Sequence, residues 1–394
     1  MRNTQLGGRP TSDGPLRVVL AGGGTGGHLY PGLAVAERLR DLGAEVVFVG
    51  TRKGLGARVV PERGFRIRFV RARGFAGGIP GRVQALLEMG IGFLQSLVLL
   101  ARERPHLVVG TGGYVCAPVV LAAVLRGTPS VLMEQNALPG KATRFLARLA
   151  RKVCVSFPGA HAGLPADRVV VTGNPVRDEI VTRERQEARR ALGIPEGRTC
   201  VLVTGASQGA ASLNRAVLRA LPGWRARAWT VLHLTGPAHL EEVQVRSKAE
   251  AGNLDYRPLG YLEDMAGAYA AADVVVCRAG ATTLAEVTAR GLPAVLVPYP
   301  HAAERHQDYN AAVLVDHGAA LLLDDAAVEQ ELGTLLEGLL DAPGRLETLA
   351  RASRALGQPE AASRVVRVLL EETGRTGLQG ESGTRAREGE ERGH

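Results

Sequence analysis

The chain has 394 residues, of which 45% are hydrophobic, so it is long enough to form two domains with sizeable cores. Its net charge is +9, and residues 15–152 hold 20 Lys and Arg against 7 Asp and Glu, so the basic excess belongs to the first half. Such a half suggests nucleic acid, an anionic membrane surface or a polyanionic substrate. With an aromatic content of only 4%, we expect no nucleic-acid partner.

The ends of the chain differ from the rest. Residues 1–14 and 372–394 lack apolar periodicity and are rich in Gly and charged residues, which predicts disorder. The most apolar stretch, 83–100, is interrupted by three polar residues, so we expect an amphipathic or buried helix there and no membrane span. Four isolated cysteines with no CxxC pair indicate reduced thiols and a cytoplasmic protein. They are Cys116, Cys154, Cys200 and Cys277.

Two segments, 17–40 and 199–221, begin in the same way. Each has a β-branched run, a Gly-rich turn and an amphipathic helical pattern, which is the opening of a Rossmann-type unit. Further strands are predicted at 45–50, 107–110, 130–133, 152–156, 229–234, 273–277 and 294–298. Continuous apolar strands that alternate with helices indicate parallel sheets covered on both faces. We therefore predict an α/β chain of two Rossmann-like, doubly wound domains that face each other across a cleft, with a linker at 172–178.

The first glycine loop, residues 22–28, reads GGGTGGH and contains GxGxxG. Taken alone this is weak support for NAD, and the strand at 45–50 is not followed by the acidic residue that a dinucleotide site uses. Arg52 leaves NADP as a disfavoured alternative. His28 lies at a predicted helix N-terminus, where the helix dipole disfavours a protonated imidazole. It is a candidate general base, and an equally weighted interpretation is a histidine that caps or packs against the loop.

Two more glycine loops follow apolar runs. The second loop, 110–114 (GTGGY), has backbone amides suited to a phosphate group, although a tight β-to-α turn explains its glycines equally well. The third loop, 205–209 (GASQG), lacks the Lys of a P-loop, so ATPase chemistry is disfavoured. It suits a diphosphate held by amides, a Ser hydroxyl and a helix dipole.

The segment 277–299 is the most informative part of the second half. A predicted buried strand ends at Arg278, and Glu286 falls on the second turn of the helix that follows. A carboxylate there can accept hydrogen bonds from a ribose diol, whereas an isolated Glu is more commonly a surface residue. The chain contains no DxD, HExxH or Cys/His cluster, so we expect no obligate metal or cofactor. Whether free Mg²⁺ assists stays open.

Several motifs now fall in the order of one known family. They are GGGTGGHLYPGLAVA, GTGGYVCAPVVLAA, EQNALPGKATR, TGNPVR, GASQGA, CRAGATTLAEVTARGLPAVLVPYP and HQDYNA. Over roughly residues 15–370 the chain resembles the MurG family of glycosyltransferases. This resemblance implies a GT-B fold and an inverting transfer of GlcNAc from UDP-GlcNAc to the 4-hydroxyl of undecaprenyl-diphospho-MurNAc-pentapeptide, in peptidoglycan synthesis at the cytoplasmic face of the membrane.

The same resemblance implies a domain layout and partners. Residues 15–175 would bind the acceptor and the membrane, residues 176–356 would bind the donor, and a helix at 357–371 would cross back to the first domain. The implied partners are UDP-GlcNAc, the lipid acceptor, an anionic membrane surface, and other cell-wall and division proteins.

The resemblance also implies a role for each matching residue. His28 would be the base or position the acceptor. The donor would be bound by Thr25, Gly26, Gly27, Asn136, Arg177, Ser207, Gln208, Leu262, Ala281, Thr282, Thr283, Leu284, Ala285, Glu286 and Gln307. The acceptor diphosphate would lie at Gly112, Gly113 and Tyr114. Where some members carry Trp and several Lys for membrane docking, this chain offers Phe75, Ile79, Val83 and Leu86 with Arg71, Arg73 and Arg82.

Other functions remain as alternatives. A UDP-GlcNAc 2-epimerase or another GT-B enzyme with a soluble substrate would share the architecture but need no membrane. An NAD(P)-dependent dehydrogenase is a more distant alternative. A non-catalytic, membrane-associated scaffold for cell-wall enzymes belongs to a different class, and the set of His28, Glu286 and Gln307 argues against it.

Overall fold

A computed structural model describes residues 14–74, 78–160, 162–206 and 208–375 of the chain. Phe75 and Ser207 lie outside these residues, as does most of both predicted disordered ends. Within the described residues the strands form two sheets whose pairings are all parallel, one in each half of the chain. The predicted pair of Rossmann-like domains is therefore confirmed.

The sheet of the N-terminal domain has seven described strands in the order β3-β2-β1-β4-β5-β6-β7. They are β1 (Arg17–Gly22), β2 (Glu45–Gly50), β3 (Arg66–Phe69), β4 (Leu107–Gly112), β5 (Ser130–Glu134), β6 (Lys152–Val155) and β7 (Val169–Val171). The order 3-2-1-4-5-6 is that of the Rossmann fold, here with one strand added at the far edge.

The sheet of the C-terminal domain repeats this order with six described strands, β10-β9-β8-β11-β12-β13. They are β8 (Thr199–Thr204), β9 (Trp229–Leu234), β10 (Asp255–Leu259), β11 (Val274–Cys277), β12 (Ala294–Leu296) and β13 (Ala320–Leu322). The central strands β8 and β11 are almost completely buried, which explains their continuous apolar sequences.

Four strands have no counterpart among the runs predicted from the sequence: β3, β7, β10 and β13. All four lie at the edge of a sheet. Most of their residues are exposed or only half-buried, as in the alternating pattern of Arg66–Phe69. An edge strand with a partly solvated face does not need a continuous apolar run, so the signal that reveals the inner strands is missing there.

Helices cover both faces of each sheet. In the N-terminal domain they are α1 (Gly26–Asp41), α2 (Gly56–Glu62), α3 (Gly78–Glu103), α4 (Cys116–Leu125) and α5 (Lys141–Leu146). In the C-terminal domain they are α6 (Asp178–Thr182), α7 (Arg185–Ala191), α8 (Ala211–Trp224), α9 (Leu240–Glu250), α10 (Met265–Ala271), α11 (Ala281–Arg290), α12 (His306–Asp316), α13 (Val328–Leu340) and α14 (Pro343–Leu356). Each domain thus holds two hydrophobic clusters, one on each face of its sheet.

The last helix, α15 (Ala361–Glu372), returns to the N-terminal domain. Its buried Val365 and Leu369 belong to the same hydrophobic cluster as Leu20 of β1 and Leu33 of α1. The helix begins four residues later than the predicted 357, because Gly357 ends α14 and the chain crosses between the domains before Ala361. This crossing lies against the linker, where a Cβ at Gly173 (φ +82°) would come within 2.7 Å of Gln358 Cβ.

Helix α3 is longer than the predicted 83–100 and corrects one expectation. It is the one helix among the described residues that is long and apolar enough to cross a membrane, judged by length and composition. Its buried residues pack on the N-terminal domain, and they are Ala85, Gly92, Ser96 and Leu100. Its exposed large apolar residues form a stripe, which we name the α3 apolar face. The residues of this face are Ile79, Val83, Leu86, Leu87, Ile91, Leu94 and Val98.

A buried polar network supports the strand ends of the C-terminal domain. His233 of β9 is fully buried and lies between the hydroxyl of Tyr256 (2.7 Å from Nδ1) and Oδ1 of Asn214 (3.0 Å from Nε2). Asn214 in turn donates to the carbonyl of Thr235 at 3.0 Å. The network therefore ties α8 to β9, β10 and the turn at Thr235.

We predict that His233 makes the protein sensitive to acid. Burial lowers the pKa of His233 to about 3, whereas the unfolded chain binds this proton below its ordinary value of 6.5. Between these values the unfolded state holds one more proton, so the stability contributed above pH 6.5 is lost as the pH falls. The cost is about 1.4 kcal/mol per pH unit.

Denaturant unfolding between pH 7 and pH 4.5 checks this. The His233→Gln variant loses the titrating group and is expected to show a shallower fall of unfolding free energy with pH. The matched control is His317→Gln at an exposed position, which should keep the wild-type slope. Equal slopes for His233→Gln and the wild type would contradict the assignment.

Candidate active site

The candidate site lies where the strand order of each sheet reverses. In the N-terminal sheet the reversal falls between β1 and β4, which are followed by the first and second glycine loops. In the C-terminal sheet it falls between β8 and β11, which are followed by the third loop and by α11. Ligands of open α/β sheets bind at such points, outside the carboxyl ends of the strands. The topology thus gives each domain one binding crevice.

The first and second loops form one packed unit. A Cβ at Gly113 (φ +74°) would lie 2.6 Å from the carbonyl oxygen of Gly23, and a Cβ at Gly22 would lie 1.8 Å from Thr111 Oγ1. The Tyr114 ring of the second loop packs on the first loop, since a Cβ at Gly24 would lie 3.4 Å from Cε1 of that ring. Glycine is required here because the two backbones approach too closely for any side chain.

Two helix N-termini meet across the cleft between the domains. Helix α1 begins at Gly26 and α11 begins at Ala281, and the Thr282 hydroxyl donates to the carbonyl of Gly27 at 2.9 Å. Neither helix has an acidic residue in its first turn. The partial positive charges of both ends therefore face the same region without a carboxylate to offset them, which favours an anion such as a diphosphate.

His28 lies on the first turn of α1 and is held by its neighbours. Its Nδ1 is 2.9 Å from Oε1 of Gln135, a buried residue directly after β5. The ring also packs on the second loop, because a Cβ at Gly112 would lie 2.5 Å from Nδ1. The structure thus places His28 against Gly112 and Gly113, the predicted acceptor loop.

A buried ion pair joins the linker to α11. Arg177 Nη2 donates to Glu286 Oε1 at 3.4 Å, and the guanidinium of Arg177 stacks on the Tyr30 ring of α1 at 4.6 Å from its centroid. Burial raises the pKa of Glu286, while Arg177 and the Tyr269 hydroxyl act in the opposite direction. Burial also raises the pKa of Tyr269 well above its ordinary value, so its hydroxyl stays protonated beside Glu286.

A second contact between the domains involves two asparagines. Asn310 of α12 is fully buried, and its Oδ1 accepts from the backbone N–H of Ala137 at 2.8 Å. Its Nδ2 donates to Asn136 Oδ1 at 3.2 Å and to the carbonyl of Ala279 at 3.1 Å. Asn136 also bonds Glu134, so this predicted donor residue lies at the contact between the domains.

The remaining predicted residues are placed as follows. Gln307 accepts from the backbone N–H of Tyr299 at 2.9 Å, Gln208 is exposed, and Leu262 is half-buried against the core. The Leu284 side chain packs in the hydrophobic core and its N–H donates to the carbonyl of Gly280, so both groups support the helix. The flanking α11 residues Thr283 and Ala285 are half-buried.

Sequence reasoning did not single out Gln135, Tyr269 and Asn310. Gln135 stands inside the EQN motif and Asn310 inside HQDYNA, so the motifs carried a signal that was assigned to other residues. Tyr269 lies in an alanine-rich helix and has no such motif. Within the described ranges, no group of three or more His, Cys, Asp and Glu side chains is arranged to hold a metal ion.

The third loop depends on a glycine that has no room for a side chain, which gives a prediction. A Cβ at Gly209 (φ +73°) would lie 1.8 Å from the carbonyl oxygen of Thr235. Gly209→Ala should therefore displace the loop and weaken binding of UDP at least tenfold, as measured by calorimetry. Gly193→Ala is the matched control, because Gly193 also has a positive φ (+60°) but meets nothing within 4 Å. Equal affinities for the two variants would contradict a diphosphate-binding role of the loop.

Comparison with known proteins identifies the family of the chain. The model of the glycosyltransferase family 28 N-terminal domain matches residues 18–155, and that of the family 28 C-terminal domain matches residues 200–365. A relative from Desulforudis audaxviator is 44% identical over 366 residues, which cover 90% of this chain and 98% of the relative. It is named UDP-N-acetylglucosamine–N-acetylmuramyl-(pentapeptide) pyrophosphoryl-undecaprenol N-acetylglucosamine transferase.

Solved structures extend the comparison. The crystal structure of Acinetobacter baumannii MurG matches with a TM-score of 0.72 and 31% identity, covering 91% of this chain and all of that one. A putative UDP-N-acetylglucosamine 2-epimerase from Listeria monocytogenes matches with a TM-score of 0.66 over 92% of this chain and 98% of that one, but at 16% identity it shares the fold alone. The fold is therefore GT-B, and the chain belongs to the MurG family within glycosyltransferase family 28.

Proposed function

We propose that this protein transfers GlcNAc from UDP-GlcNAc to the 4-hydroxyl of MurNAc-pentapeptide on undecaprenyl diphosphate, with inversion at the anomeric carbon. The observation that carries the proposal is the meeting of the α1 and α11 N-termini across the cleft. A leaving UDP develops negative charge on its diphosphate, and preorganised helix ends stabilise that charge without reorganisation. A named relative that is 44% identical, with 98% of its length covered, supports the choice of substrates.

The donor is assigned to the C-terminal domain, residues 176–356. Glu286 would accept hydrogen bonds from the ribose hydroxyls, and Arg177 would move from Glu286 to the diphosphate. Ala281, Thr282, Thr283 and Ala285 would surround the diphosphate at the start of α11, where the Leu284 side chain packs in the core behind them. The predicted residues Ser207 and Gln208 of the third loop, and Thr25, Gly26 and Gly27 of the first loop, would supply further donor contacts. Leu262 would contact uracil through its backbone, and Gln307 and Asn136 would contact the sugar.

The acceptor is assigned to the N-terminal domain, residues 15–175 with α15. Its diphosphate would bind the second loop at Gly112, Gly113 and Tyr114. The Tyr114 ring also lies near the segment 71–74, since a Cβ at Gly74 would lie 3.7 Å from its Cδ1. That segment packs on α3, where Arg71 N donates to Gln95 Oε1 at 2.8 Å. A continuous set of contacts thus leads from helix α3 to the acceptor loop.

His28 is assigned as the general base. It would remove the proton of the acceptor 4-hydroxyl as that oxygen attacks the anomeric carbon and the bond to UDP breaks. A general base typically accelerates such a reaction roughly 10²–10⁴-fold. His28→Gln should therefore lower kcat by about 10²-fold or more while the KM for UDP-GlcNAc changes little. The assay measures transfer from radiolabelled UDP-GlcNAc to a short-chain lipid acceptor.

The same assay tests the proposed function itself. His317→Gln serves as the matched control. His317 is exposed at the C-terminal end of α12, so this variant should keep the wild-type rate. Absence of a labelled lipid product with the wild-type protein would overturn the proposed transferase activity. Conversion of UDP-GlcNAc into UDP-ManNAc without acceptor would favour an epimerase, and no turnover of either kind would favour a non-catalytic scaffold.

We also propose that the protein docks on the cytoplasmic face of the membrane through α3. The α3 apolar face runs from Ile79 to Val98, about 28 Å along the helix. The face continues past the predicted Ile79, Val83 and Leu86, and Leu87 and Leu94 are 65% and 62% exposed. Arg71, Arg73 and Arg82 are exposed, and in this proposal they would meet the anionic surface, where a basic residue contributes about 1 kcal/mol.

Vesicle flotation checks the docking face. The double variant Leu86→Gln, Leu87→Gln should bind anionic vesicles roughly tenfold more weakly, because burial of each side chain in the interface is lost. Val245→Gln is the control: Val245 is equally exposed, at 65%, but lies on α9 of the C-terminal domain. A control variant that loses binding to the same extent, or a double variant that loses none, would overturn docking through α3.

A further inference from the structure

Gln135 contacts both β4, which ends at the second loop, and β5, which directly precedes it. It follows β5 directly and is 3% exposed. Its Nε2 donates to the carbonyl of Thr111 at 3.0 Å, in the last part of β4, and to the carbonyl of Met133 at 3.5 Å. Carbonyl oxygens only accept hydrogen bonds, so these two contacts fix which end of the amide carries the NH₂ group. The amide oxygen is thereby directed toward His28.

This orientation determines which nitrogen of His28 carries its proton. Gln135 Oε1 lies 2.9 Å from His28 Nδ1 and has no hydrogen to donate. A hydrogen bond at this distance therefore requires a proton on Nδ1. A neutral imidazole has one N–H, so its Nε2 then holds the free electron pair.

We infer that Gln135 is a positioning residue that holds neutral His28 in the Nδ1–H tautomer, so that Nε2 is the atom that accepts the proton of the acceptor hydroxyl. This inference rests on the proposed function for the identity of that hydroxyl. The same contact fixes the plane of the ring, together with the backbone of the second loop. A Cβ at Gly112 would lie 2.5 Å from Nδ1 and one at Gly113 would lie 3.4 Å from Cδ2. The ring is therefore packed directly against the backbone of the second loop.

A purely structural role for Gln135 makes different predictions. In that case its importance would lie in the bond to Thr111, which anchors the second loop, and the tautomer of His28 would not depend on it. Gln135→Met keeps the length of the side chain but loses both contacts. Gln135→Glu keeps an acceptor toward His28 Nδ1 and loses the donor toward Thr111. The two variants therefore separate the two roles.

The first measurement is ¹⁵N NMR of full-length protein labelled at histidine, at a pH where the imidazole is neutral. The His28 signals are identified by their loss in His28→Gln. We expect a protonated Nδ1 and an unprotonated Nε2 in the wild type, and a change to the Nε2–H form or a mixture in Gln135→Met. The inference would be overturned if His28 of the wild type carried its proton on Nε2. It would also be overturned if the His28 tautomer were the same in Gln135→Met as in the wild type.

The second measurement is the pH profile of kcat in the lipid transfer assay. Gln135→Met should lower kcat about 10–100-fold, part of what a general base contributes, with less than a twofold change in the KM for UDP-GlcNAc. Gln135→Glu should recover part of that loss and move the acid limb of the profile to higher pH, because a carboxylate beside Nδ1 favours the imidazolium. The positioning role would be overturned if both variants lost the same amount of kcat and the acid limb of the pH profile did not move. That result would mean that Gln135 only anchors the second loop.

The two measurements also separate this inference from the proposed function. Gln244→Met, on the exposed side of α9, is the control for exchanging a Gln for a Met and should leave both readouts unchanged. A fixed Nδ1–H tautomer in a protein without transferase activity would mean that the function fails while the positioning of His28 stands. An active transferase whose His28 tautomer ignores Gln135 would mean the reverse.

Discussion

In each domain the sheet reverses its strand order between its first and fourth strands, and the carboxyl ends of these four strands carry the glycine loops and α11 of the cleft. Backbones at such a reversal diverge and leave a crevice, but the loops themselves are packed closely. A Cβ at Gly113 would meet the carbonyl of Gly23, and one at Gly209 would meet that of Thr235. The amides at the cleft are therefore held in fixed positions, which is the condition for electrostatic stabilisation of a leaving group.

Arg177 and Glu286 couple this fixed geometry to the two domains. Both side chains are more than nine-tenths buried, and the guanidinium also stacks on Tyr30 of the opposite domain. Removal of Arg177 from this buried pair would cost about 3–5 kcal/mol, because Glu286 is left without a compensating cation. Arg177 has a second partner, since its Nη1 lies 2.8 Å from Glu179 Oε1. In the proposed function the donor supplies both replacements at once, a diphosphate for Arg177 and ribose hydroxyls for Glu286. Neither charge is then left unpaired when the pair separates.

The sequence predicts the parts of the fold whose signal is local. The central strands are buried on both faces and read as apolar runs, whereas the edge strands β3, β7, β10 and β13 do not and are missed. Helix α3 is found but predicted too short, and its capacity by length to span a membrane is missed with it. Local sequence patterns thus identify the buried elements. They miss strands at the sheet edges and give too short a length for a helix that is exposed to solvent.

Site residues follow the same rule. His28 and Glu286 are identifiable because each stands near the start of a helix after a glycine loop or a strand. Gln135 is not, since its importance arises from His28, which is 107 positions away in the chain, and from a carbonyl of another strand. Asn310 likewise matters through Ala137, 173 positions away. Leu284 also acts through distant residues, because the helix directs its side chain into the core of the C-terminal domain.

The charge asymmetry acquires a geometric explanation once the domains are placed. The basic half of the chain contains α3, the segment 71–74 and the second loop, which contact one another in that order. In the proposed function the acceptor keeps its polyisoprenyl chain in the bilayer, so its diphosphate would reach the cleft from the domain that docks. The donor would enter from water and would need no such attachment. The proposal thus accounts for the presence of the basic side chains and the α3 apolar face on the same domain as the second loop.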